Sequence, residues 1–170
     1  MKGKLYKLNL TGIKAVLTIE FFVHNEFISK NCKVGRMSFM NVQYQGGFRT
    51  QAIHIDSHNQ IITDAPKDNQ GNGEAFSPTD LLSTSLASCM LTIMAMKAKS
   101  LNLKFGAVEV KLEKKMTQAP RKVGEIVLHF DWKGLDQRVS SEQLAILKEA
   151  GLNCPVYLSL SPEVAKTLHW

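Results

Sequence analysis

The run Leu81–Met96 carries no charged side chain, and Ser77-Pro78-Thr79-Asp80 stands immediately before it. Ser77 reads as an N-cap and Pro78 as the first helical residue, where a missing N–H costs no hydrogen bond. Asp80 places negative charge in the first turn against the positive helix end. From Leu81 onward, Leu82, Leu86, Met90, Leu91, Ile93 and Met94 are separated only by Ser, Thr, Ala and one cysteine, Cys89. A helix that is apolar or small on every face is expected to be covered on every side. This central element must therefore be wrapped by the rest of the chain. Sixteen residues fall short of the ~20 needed to cross a bilayer, so no membrane role is expected.

The surroundings read as strands. Phe39–Gln45 and Phe48–Ile55 flank Gly46-Gly47 as a hairpin, Asp56–Asn59 forms a second turn, and Ile61–Thr63 a short third strand. Asp64–Glu74, rich in Asn and Gly, reads as an exposed loop leading to Ser77. Beyond the helix, Val108, Val110 and Leu112 alternate with Glu109, Lys111 and Glu113, and Glu125–Trp132 alternates again. Ser140 and Gln143 form a capping box for a second helix that Gly151 would close, and Val164–Trp170 reads as a last strand. Strands, helix, strands, helix, strand is the order of an α+β fold with an antiparallel sheet, not of a doubly wound one.

The formal charge of +6 is uneven. Residues 1–36 hold seven Lys or Arg against two Glu, a net of +5, which leaves only +1 for the rest. This argues against a nucleic-acid partner, because no basic face with interleaved aromatics follows. The basic extension, 1–36, is expected to be separate from a body, 37–170, that folds without it. Met37 is a candidate alternative start. Three cysteines without a CxxC pair fit a reducing, cytoplasmic setting. His54 and His58 fall across a strand and turn, which denies them the spacing of a helical metal site, so no metal is expected. Met40, Met90, Met94 and Met96 read as core.

Two cysteines invite chemistry. Cys154 precedes Pro155 and so sits where a helix N-terminus would favour the thiolate. Cys89, by burial alone, would be inert unless a cation reached it. Cys32, in the extension, has no such setting. From spacing alone, two structural cysteines remain the plainer reading.

The segment TDAPKDNQGNGEAFSPTDLLSTSLASCMLTI, with NCPV placing Cys154 sixty-five residues after Cys89, resembles the OsmC/Ohr family of thiol-dependent peroxidases, and its OsmC-like branch in particular. The resemblance spans roughly Met37 to the C-terminus. It implies an α+β protomer in an intertwined homodimer whose sheets wrap two central helices. It further implies an enzyme that reduces organic hydroperoxides, with Cys89 as peroxidatic cysteine, Cys154 as resolving cysteine and Arg49, in GGFR, as the activating cation. Turnover would draw on an external dithiol such as a lipoylated protein, without a bound cofactor. The family's glutamate ten residues before the cysteine, which holds the arginine, is here Thr79. Asp80, about 100° round the helix, and Glu74, in the preceding loop, are the nearest carboxylates. The second reading is therefore a weak or inactive member that binds a small hydrophobic or thiol-reactive ligand at the dimer interface. A third gives the function to the basic N-terminus as an interaction module.

Overall fold

A computed structural model describes residues 38–170. The basic extension, Cys32 and the Met37 boundary lie outside the described residues. Two three-stranded sheets share the domain with one long and two shorter helices. The first sheet is an antiparallel meander of β1 (Met40–Gly46), β2 (Arg49–His54) and β3 (Gln60–Asp64). Helix α1 (Pro78–Ser100) follows, then the hairpin of β4 (Glu109–Met116) and β5 (Val123–Asp131). Helices α2 (Ser141–Leu152) and α3 (Pro155–Ser159) lead into β6 (Ala165–His169).

The core sits between α1 and β5. Leu86, Met90 and Met94 from α1 meet Ile126, Leu128 and Phe130 from β5, with Val123, Cys154 and Val164 closing the edges. β5 is the central strand: β4 pairs with it antiparallel and β6 parallel. The all-antiparallel expectation therefore fails at β6. The α2–α3 segment carries the chain across before β6 pairs, a crossover that a parallel neighbour requires.

α1 begins as its cap residues dictate. The Asp80 N–H donates to Ser77 Oγ at 3.1 Å and the Ser77 N–H donates to Asp80 Oδ2 at 2.8 Å, closing a capping box. The helix runs for 23 residues, longer than the uncharged run, and by length and composition it could cross a bilayer. Its inward positions instead pack against α2, α3 and β4. Among the described residues it is not covered on every side: Leu82 and Met96 remain exposed. Met96 and Met40, expected in the core, are both about 60% exposed (62% and 60%), whereas Met90 and Met94 are fully buried.

Gly151 corrects a second expectation. It lies inside α2, with Asn153 as the C-cap, and a Cβ there would stand 2.2 Å from Met94 Cε. The residue permits close helix approach; it does not end the helix. In the first hairpin the turn residues between the strands are Gly47 and Phe48, both at positive φ (57° and 62°), one residue later than expected. Gly47 accepts that geometry freely, while Phe48 is strained immediately before Arg49.

Candidate functional site

Two groups of chemically capable side chains converge on α1. The first joins α1 to α3. Cys154 is the N-cap of α3, and its Sγ accepts the Tyr157 N–H at 3.3 Å. The position is as expected, but the inferred reactivity is not. Cys154 is fully buried, and burial pushes its thiol above the ordinary range, with the neighbouring Cys89 adding to the rise. The Tyr157 and Val156 N–H groups only partly offset this. One turn of helix, with its small dipole, does not outweigh desolvation. Cys89 packs against the same core from α1, is half-buried, and lies near enough to Cys154 to add to the rise of the Cys154 thiol. Both are free thiols. Cys89, expected deep in its apolar helix, is the more accessible of the two.

The second group lies at the N-terminal end of α1. In the β2–β3 register Arg49 stands opposite Asp64. Its Nη2 donates to Asp64 Oδ2 at 3.3 Å and to Glu74 Oε2 at 2.5 Å. Glu74, then Asp64, hold the guanidinium protonated above even its usual value. Asp64 was expected at the head of an exposed loop, yet it ends β3 and is 1% exposed. The Glu74 N–H donates to its Oδ2 at 2.9 Å. That bond is the largest influence on the carboxyl. With Arg49 and the Ala65 N–H it outweighs burial and keeps the carboxyl below the usual range. Thr63 and Phe76 bridge in parallel, so the loop returns alongside β3 and delivers Glu74 to Arg49.

Thr79, Asp80 and Ser77 share a different cation. Lys114 Nζ donates to Asp80 Oδ1 at 2.6 Å, Thr79 Oγ1 at 2.8 Å and Ser77 Oγ at 3.3 Å. Burial works against the Asp80 charge, but Lys114 and Ser77 prevail and hold its carboxyl below the usual range. Of the supporting residues expected for Arg49, only Glu74 bonds it; Thr79 and Asp80 are committed to Lys114. Lys114 was missed by sequence reasoning. Its signal was a charge on the inward parity of β4, where Val110, Leu112 and Met116 also point. A cleft of about 480 Å³ is lined by Glu74, Phe76, Asp80, Thr84 and Leu112. No cluster that could hold a metal occurs among the described residues.

Within one chain Arg49 makes no hydrogen bond to Cys89; its bonds go to Asp64 and Glu74. Thr79 and Cys89 are ten residues apart on one helix, about 15 Å along the axis. The cysteines therefore meet α1 at its middle, and the Lys114 cluster meets it in the first turn.

The family model described as OsmC-like protein matches residues 71–169, which contain α1, both cysteines and Lys114. The chain belongs to the OsmC family. Among solved structures, it is 42% identical to a Psychrobacter arcticus 273-4 protein named for osmotic stress induction and a detoxification response. That match covers 81% of this chain and 98% of the other, with a TM-score of 0.73. It also shares its fold with a Legionella pneumophila organic hydroperoxide resistance protein OsmC, at 21% identity, 81% and 98% coverage and a TM-score of 0.64. An Elizabethkingia anophelis organic hydroperoxide resistance protein matches at 15% identity, 81% and 97% coverage and a TM-score of 0.62. Comparison with curated protein sequences returns no match. Family membership thus rests on the matched span 71–169 and on the 42% identical relative.

Proposed function

We propose that this OsmC-family chain is a thiol-dependent peroxidase that reduces organic hydroperoxides through Cys89 and Cys154. The observation that carries the reading is their meeting across the α1–α3 contact, with Cys89 accessible and Cys154 buried. In the proposed cycle the Cys89 thiolate attacks the hydroperoxide O–O bond. The sulfur is oxidised to sulfenic acid and the leaving alkoxide takes a proton to become an alcohol. The Cys154 thiol then displaces water from the sulfenic acid to form a disulfide. A dithiol, of which a lipoylated protein is one example, reduces that disulfide to two thiols and leaves as a disulfide itself.

The proposal includes a homodimer. Met40, Val42, Tyr44 and Ile61 share one face of the first sheet and are about half or more exposed, and the outer positions of α1 are uncovered. A contiguous apolar surface of this kind marks an interaction face. In such an assembly an Arg49 guanidinium would reach Cys89 and favour its thiolate. The resulting enzyme would work in the cytoplasm, where dithiols are kept reduced.

The engagement of Thr79 by Lys114 favours a second reading, a weakly active member that binds a hydrophobic or thiol-reactive ligand at the interface. Cumene hydroperoxide consumption with a dithiol reductant separates the two. Wild-type turnover that falls to background in Cys89→Ser supports the peroxidase. Full activity in Cys89→Ser contradicts it.

A further inference from the structure

Arg49 has two carboxylate neighbours of very different character. Glu74 is 62% exposed at its side chain, so its short contact is an exposed ion pair, open to water and salt. Asp64 is buried to 1%, and its position is fixed from two sides. Its backbone lies in β3 directly opposite Arg49, and its Oδ2 takes the Glu74 N–H as well as the guanidinium. Its second oxygen, Oδ1, is buried with no hydrogen-bond partner. A buried acceptor without a donor is costly, and the guanidinium is the donor at hand, with a fork that suits both carboxylate oxygens. Thr79 is neutral and already bonded to Lys114, so nothing at the start of α1 competes for Arg49.

We propose that Asp64 is the positioning residue for Arg49: it is the fixed anchor that aims the guanidinium, while Glu74 is an exchangeable outer contact. This rests on the peroxidase reading, since the guanidinium matters to Cys89 chemistry there. It assigns the holding carboxylate to the end of β3 and not to α1. Asp64 acts through Arg49 and touches no reacting atom.

The test combines Asp64→Asn with Arg49→Gln in the full-length protein. It reads kcat and KM for cumene hydroperoxide and the pH profile of Cys89 alkylation by iodoacetamide. Asp64→Asn is expected to lower kcat/KM about 10- to 100-fold and to move the alkylation profile to higher pH. Added to Arg49→Gln, it should cost less than about twofold further, because its effect passes through the missing guanidinium. Asp64→Glu, which retains the charge, should recover part of the loss, and it replaces Asp64→Asn should that variant fail to fold. Glu74→Gln should lose less than Asp64→Asn. Wild-type kinetics and an unmoved alkylation profile in folded Asp64→Asn would overturn the proposal. So would an equal loss with and without Arg49, which would mark Asp64 as a merely structural residue. The alkylation profile does not require turnover. A protein that consumes no peroxide but still shows the Asp64 and Arg49 dependence would refute the peroxidase reading alone.

Discussion

The two three-stranded sheets contrast sharply in their surroundings. In the second, β5 buries Val123, Ile126, Val127, Leu128 and Phe130, and the core closes against α1. In the first, every residue of β1 is exposed and none of β2 is buried, although its register is as regular as that of its counterpart. Strand pairing and turn chemistry can thus be specified locally while the apolar face they create finds no cover among the described residues. The second sheet is stabilised by what it buries. The first is held by backbone hydrogen bonds and by side-chain pairs such as Thr50–Thr63, Gln51–Gln60 and Arg49 with Asp64 and Glu74. In the proposed homodimer, a partner would cover the sheet that carries Arg49, so that assembly and chemistry would be coupled.

Substitutions on the two sheets should separate these sources of stability. Leu128→Ala, in the covered sheet, should cost about 3–4 kcal/mol by lost burial and a residual cavity, read as a lowered midpoint in urea. Val42→Asp, in the uncovered sheet, should leave the protomer folded but weaken self-association at least ~100-fold, because each copy loses an apolar contact worth about 1.5–3 kcal/mol. Sedimentation at several concentrations would show this. A wild-type protein that sediments as a protomer at all of them would break the comparison.

A smaller effect is expected in acid. Asp64 and Asp80 both have carboxyls held below their unfolded range. Their stabilising contribution is full above about pH 4 and disappears as pH falls through the lowered folded values. The first sheet, with little else to hold it, should lose protection in hydrogen exchange at a higher pH than β5. Simultaneous loss in both sheets would remove the distinction.

Much of this molecule could be read in advance where the signals are local. The Ser77 cap, the β4 alternation and the Ser140 capping box needed only neighbours within a turn or a strand. The site was less legible because its contacts are long-range. Asp64 meets Arg49 across a hairpin. A symmetric count outward from the Asp56–Asn59 turn sets Gln51, not Arg49, opposite Asp64, so the observed register could not be read from the turn, and the polar composition of the segment disguised the burial of Asp64. Lys114 reaches Thr79 and Asp80 from a strand thirty-five residues away. Cys154 shows the opposite failure: its place at a helix start was legible, but burial, which depends on the whole core, reversed the inferred acidity. The parallel pairing of β6 likewise depends on how the preceding helices cross, which no local pattern in Val164–Trp170 encodes.

The most direct measurement is thiol counting by mass spectrometry before and after one equivalent of cumene hydroperoxide. Rapid loss of two thiols is expected, with peptide mapping to a Cys89–Cys154 disulfide. Unchanged thiols, or a bridge that omits either residue, would contradict it.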